Sequence, residues 1–160
     1  MGEAAKVFET VLRRMPGLQP FLNLLELNQA DITTSGVLGF YDTLARNVVI
    51  GNRALNWTGS GDHVVVPTFA GVVAHEIGHA LSYHSQPGFR PVEQALQIAR
   101  MRYNKGRTQK LGEGSFARTI SAYAATGPHE AFAEAFADWT INGMRAKSAS
   151  LHIINQWRNR

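Results

Sequence analysis

The sequence predicts an α+β fold, mostly helical, with a small β-sheet beside one central helix. Three observations predict it. Apolar residues recur at helical spacing in several segments punctuated by Gly and Pro. Two short β-prone runs, Val37 to Tyr41 and Asn47 to Ile50, flank the turn-like stretch Asp42 to Arg46. Downstream stands His75-Glu76-Ile77-Gly78-His79, embedded in small and apolar residues.

In chain order, Ala4, Val7, Phe8, Val11 and Leu12 give a helical period from Glu3 to Arg14, which Pro16-Gly17 ends. A second short helix is expected from Pro20 to Leu27. The two β-prone runs predict a hairpin, and Gly59-Ser60-Gly61-Asp62 a loop. Thr68 is a plausible N-cap for a helix that carries the two histidines and ends near Tyr83 or His84, before Pro87-Gly88. Pro91 to Tyr103 reads as an amphipathic helix. Asn104 to Arg118, with three glycines and four basic residues, reads as a loop. Pro128 opens a helix that runs to about Ile141, with Gly143 as its stop, and a last helix covers Ala149 to Trp157. The expected organisation is a single domain over 1–160, with a core of about 37–142 and an N-terminal helical extension over 1–36.

At 160 residues the chain is long enough for a real core. Its net charge is +4, but the 16 Lys and Arg fall in small groups that a solvated surface explains. No interleaved aromatic or zinc-finger pattern accompanies them, so no nucleic-acid partner is expected. With no cysteine, disulfides are excluded and any metal site must use His, Asp or Glu. No apolar run reaches the length of a membrane span, and the start lacks the h-region of a signal peptide. Met1-Gly2-Glu3 reads like a domain cut from something longer. The compartment therefore stays open, secretion or injection within a longer protein included, and so does the oligomeric state.

Positions i and i+4 share one face of an α-helix, so His75 and His79 can reach one metal ion. Zinc is the expected ion, one per chain, because imidazole nitrogen suits it and it accepts three protein ligands plus a water. Glu76, directly after the first histidine, can act as general base toward that water. The bland alternative is a helix with two partly exposed histidines and no metal. Against it, polar groups inside an apolar helix are costly unless paired or metal-bound.

A third ligand must come from elsewhere. The extension H-E-x-x-H-x-x-G-x-x-H would need Gly at 82 and His at 85, where serines stand. His84 turns away from the His75–His79 face and is expected to be structural or surface. Glu130, Glu134 and Asp138 repeat every four residues in a segment otherwise rich in Ala and Phe. Such carboxylates repel one another unless something neutralises them. Glu130 is assigned to the metal, and Glu134 to a hydrogen bond with the outer nitrogen of a ligand histidine. Asp138 is expected to cap, to pair with a basic residue or to support that arrangement further out. His129 points about 100° away from Glu130 and should not share the metal. Alone, the stripe reads better as a solvated acidic face; a metal helix in the same chain shifts the balance to the ligand assignment.

Ser121-Ala122-Tyr123-Ala124-Ala125-Thr126 followed by Glu130-Ala131-Phe132-Ala133-Glu134-Ala135-Phe136 resembles the C-terminal segment of anthrax lethal factor-like zinc peptidases. Those carry S-Y-[AG]-x-x-N-x-x-E-x-F-A-E-x-F after H-E-x-G-H. The resemblance covers roughly Val37 to Trp139, and Gly127 replaces the family's common Asn. It implies a zincin-like metallopeptidase domain of the gluzincin type. His75, His79 and Glu130 would be its zinc ligands, Glu76 its catalytic base and Tyr123 the hydroxyl facing the tetrahedral intermediate. An ordinary packing tyrosine is the alternative for Tyr123. Its place seven residues before Glu130, on an irregular entry to the helix, favours the catalytic role.

The expected activity is zinc-dependent endopeptidase cleavage of a protein or peptide substrate. Family members are often secreted or delivered toxins and effectors. Two other readings stand beside it: a zinc-binding, non-catalytic module of a toxin or phage-derived assembly, and a deformylase-like amidase, which the missing cysteine ligand disfavours. Asn47 to Ile50 looks like the strand bordering the cleft, either as an exposed edge that aligns a peptide or as a core strand. Side-chain pockets are expected from the loops Asn56 to Asp62 and Asn104 to Arg118.

Overall fold

The computed structural model describes residues 2–60 and 62–159. Its seven α-helices are α1 (Gly2–Arg14), α2 (Gln19–Leu22), α3 (Phe69–Tyr83), α4 (Val92–Tyr103), α5 (Glu113–Arg118), α6 (Pro128–Asn142) and α7 (Ser148–Arg158). Its strands are β1 (Glu26–Ala30), β2 (Gly39–Asp42) and β3 (Asn47–Gly51). The α+β class expected from the sequence is the class observed.

Helix α3 is the axis. Thr68 caps it: its hydroxyl accepts a hydrogen bond from the Gly71 amide at 3.1 Å, satisfying one of the free donors of the first turn. Eleven of the fifteen residues of α3 are buried, because the helix packs against both the sheet and α6. Two small residues let the helices approach. A methyl group at Gly78 would stand 2.8 Å from the Cα of Ala133 on α6. Around this contact the core fills with Ile77, Leu81, Phe132, Phe136, Ile153, Ile154 and Trp157, each almost wholly buried. Burial of each such large side chain contributes about 1.5–3 kcal/mol.

The sheet has the order β1-β3-β2, with β1 and β3 parallel and β2 and β3 antiparallel. The hairpin read from the sequence is present, in the register Gly39 to Ile50 and Phe40 to Val49. Strand β3 is central and its Val48, Val49 and Ile50 are buried. Asn47 to Ile50 is therefore a core strand, and the cleft-side edge is β2.

Three expectations are corrected. The helix expected from Pro20 to Leu27 ends at Leu22, and Glu26–Ala30 forms β1. The segment 1–36 is thus not purely a helical extension: it supplies a strand, and α1 packs Val7 and Val11 into the same core as α3 and α6. The stretch Asn104 to Arg118 is not all loop, since Glu113–Arg118 is helical and buries Phe116 and Ala117. The Gly59 to Asp62 stretch lies outside any regular element, Gly61 itself being outside the described residues. Among the described residues, no helix is long and apolar enough to cross a membrane.

Candidate metal centre

The apolar helix α3 puts His75 and His79 one turn apart on a single stripe, facing the first turn of α6. Pro128 starts α6, so Glu130 falls in that first turn. Its Oε2 lies 3.2 Å from Nε2 of His75 and 3.1 Å from Nε2 of His79. One donor atom from each of the three residues lies within 4.8 Å of the others, and this group could hold a metal ion.

The chemistry of the three donors fits a divalent cation. Oε2 of Glu130 is buried, and although both rings are at hydrogen-bonding distance it accepts no hydrogen bond of proper geometry. Orphaned buried oxygen is costly, and a cation at the point where the three groups converge would satisfy it. The carboxylate of Glu134, one turn further along α6, takes Nδ1 of His75 at 2.9 Å. Nδ1 of His75 thereby serves as the donor to Glu134, which leaves Nε2 as the ring atom facing Glu130 and His79, free to present a lone pair to a metal once its own proton is lost. The other oxygen of Glu134 accepts from the Val65 amide and the Ser121 hydroxyl, both at 2.7 Å. Ser121 in turn accepts from the Ala124 amide at 3.0 Å.

Electrostatics bind the group together even without a metal. Burial alone would lower the pKa of His75, but the carboxylates of Glu130 and Glu134 outweigh it and raise it to about 10. Burial would raise that of Glu130, whereas the two imidazoles pull it down to about 2. Glu76 is buried beside them with Oε2 unpartnered. Burial raises its pKa, opposed by the two histidines and reinforced by Glu130.

Tyr123 reaches the centre from the irregular segment before α6. Its hydroxyl donates to Oε1 of Glu130 at 3.5 Å, and its ring stacks on that of His75 at 5.7 Å. Burial first, then the nearby carboxylates, push its pKa to about 12. The backbone holds it there, because the Tyr123 amide donates to the His63 carbonyl at 2.9 Å.

The remaining residues fall outside the donor group. Nδ1 of His129 lies 3.0 Å from the Ser82 hydroxyl, and its ring stacks on Tyr83. His84 pairs with the Tyr41 hydroxyl at 2.7 Å. Asp138 accepts from Asn142 and from the Lys147 amide, both at 2.8 Å, and so fastens the end of α6 to the start of α7.

A cleft of about 430 Å3 opens over the centre. Strand β2 with the residues before it forms one wall, and Trp57 with His63, Val64 and Val66 the other. Within the expected loop Asn56 to Asp62, only Trp57 lines it among the described residues, and no residue of Asn104 to Arg118 does. The basic loop therefore has no part in the cleft. The sequence reading missed Ser121's role, the Val65 amide and Gly39. A Cβ on Gly39 would stand 3.1 Å from Cγ of Glu76 and 3.0 Å from the Val49 carbonyl. Nothing in local sequence signals these three, since each depends on a partner far along the chain. Comparison with protein-family models, with curated proteins and with solved structures finds no match for the chain.

Proposed function

We propose that the chain is a zinc-dependent endopeptidase that hydrolyses peptide bonds in a protein substrate, similar to the lethal factor-like zinc peptidases. One observation carries the reading: His75, His79 and Glu130, from two helices, converge with buried Glu76 beside them and the Tyr123 hydroxyl at the rim. A purely structural zinc site usually takes four protein ligands and needs neither a base nor a phenol. Zinc bound by the three donors supplies Lewis acidity toward water and toward a carbonyl oxygen.

Glu76 is the base. Its raised pKa and its unpartnered oxygen suit it to take a proton from water and return it to the departing amine. Tyr123, kept protonated well above neutral pH, donates a hydrogen bond to the carbonyl oxygen as negative charge builds there. Glu134 holds His75 in one tautomer. The cleft walls are largely apolar, with Val37, Leu38, Phe40, Trp57, Val64 and Val66, and suit an extended segment with apolar side chains.

The test is cleavage of a peptide library by purified zinc-loaded protein. Glu76→Gln is expected to keep zinc and lose about a hundredfold or more in rate. Glu130→Ala is expected to lose zinc affinity first. A Glu76→Gln protein that cleaves at the wild-type rate sinks the mechanism.

A further inference from the structure

The two imidazoles of the centre are not held alike. Nδ1 of His75 has Glu134, whereas Nδ1 of His79 is buried and has no hydrogen-bond partner among the described residues. A metal-ligating histidine normally has its outer nitrogen tied to a carboxylate, carbonyl or water, and that tie sets the ring's orientation.

The stripe that carries His75 and His79 continues one more turn to Tyr83, the last residue of α3. The Tyr83 ring lies 6.2 Å from that of His79, inclined by 28°. The His129 ring also stacks on Tyr83, with centroids 4.5 Å apart and planes inclined by 15°. His129 directly precedes Glu130 on α6. It is itself pinned: the Ser82 hydroxyl donates to the His79 carbonyl at 2.9 Å and accepts from Nδ1 of His129 at 3.0 Å. The rings of Tyr83 and His129 thus lie beside His79 and the donor group. Tyr83 is 51% exposed, so its ring would otherwise be free to turn into solvent.

We infer that Tyr83, backed by His129, is a positioning residue that sets the orientation of the His79 imidazole by ring stacking, in place of the missing hydrogen bond. The separations fall within the range at which aromatic rings attract. The ring does the positioning and the phenol hydroxyl takes no part, as no hydrogen bond from it to His79 exists. The inference rests on the metal reading of His75, His79 and Glu130.

The test compares wild type with Tyr83→Phe and Tyr83→Ala, each loaded with zinc or with cobalt as a spectroscopic probe. Release of zinc to a chelating dye is expected to be about tenfold or more faster for Tyr83→Ala, while Tyr83→Phe stays within about twofold of wild type. The visible absorption bands of the cobalt protein are expected to change shape in Tyr83→Ala and not in Tyr83→Phe. The Tm of the metal-free proteins is expected to be the same for all three, which a general packing role would not give. A Tyr83→Ala protein with wild-type release and wild-type cobalt bands overturns the inference while leaving the metal centre intact. Wild-type protein that takes up neither ion overturns the metal reading and this inference together.

Discussion

Nδ1 of His75 on α3 lies 2.9 Å from Oε1 of Glu134 on α6, so the residue that orients the first histidine sits one turn beyond the third member of the donor group. One stretch of α6 therefore supplies both a member of the donor group and the brace for another. The same carboxylate also accepts from Val65 and Ser121, which ties the cleft wall and the segment carrying Tyr123 to the same point.

Removing that brace is expected to act on metal and fold together. Glu134→Ala leaves the part-buried Val65 amide and the buried Ser121 hydroxyl and His75 nitrogen without their acceptor. Each orphaned donor costs about 1–3 kcal/mol, and the loss of the orienting carboxylate lowers zinc affinity about 10- to 100-fold. Thermal unfolding of the metal-free protein and competition against a zinc chelator measure the two effects separately. An unchanged zinc affinity contradicts the role assigned to Glu134.

The close approach of α3 and α6 gives a second prediction. A methyl group at Gly78 meets the Cα of Ala133 at 2.8 Å, a backbone atom that cannot swing away. Gly78→Ala must push the helices apart, at a cost of about 1–3 kcal/mol. It also withdraws Glu130 from the two histidines, because they sit on opposite sides of that interface. Both Tm and zinc affinity are expected to fall. A stable variant with wild-type affinity contradicts the packing argument.

Much of this was legible from the residues. The four-residue spacing of His75 and His79, the apolar residues around them and the recurrence of Glu130, Glu134 and Asp138 all report helical faces, and helix α3 meets α6 on those faces. Strand β1 was not legible. Glu-Leu-Asn-Gln-Ala has no apolar alternation and stays partly exposed, and it becomes a strand by pairing with β3 across the intervening hairpin. For the same reason, the edge strand could not be told from the central one. Helix α5 is six residues, with Gly112 before it and Gly114 inside it, too short to stand on propensity, and its burial of Phe116 and Ala117 is a tertiary effect.

Proton linkage gives the third prediction. In the metal-free protein His75 titrates near 10, above its unfolded value of about 6.5, so its contribution to stability is full below that value and is lost as pH rises through about 10. Glu130 titrates near 2, below its unfolded value, so its contribution is full above the ordinary carboxylate range and is lost as pH falls toward 2. Zinc requires His75 without its second proton. Binding at pH 7 is therefore expected to release about one proton, and apparent affinity to rise roughly tenfold per pH unit between 7 and 9. Calorimetry in buffers of different ionisation enthalpy counts the proton. A binding enthalpy independent of buffer contradicts the charged His75.

Gly39 offers a way to separate the proposed base, Glu76, from the proposed ligands. It sits on β2 where a Cβ would press 3.1 Å from Cγ and 3.2 Å from Oε1 of Glu76, with the Val49 carbonyl behind it at 3.0 Å. The strand cannot retreat, because β3 lies on its other side and the Val49 carbonyl belongs to it. Glu76 is the flexible partner and must give way. Gly39→Ala is therefore expected to keep zinc at wild-type affinity, since none of the three ligands is touched, and to lower peptide hydrolysis about tenfold to a hundredfold by displacing the base. Zinc content by elemental analysis and initial rates on a library-derived peptide decide it. Equal loss of metal and activity would place Gly39 in the scaffold, and an unchanged rate would mean that the proton is not taken by Glu76.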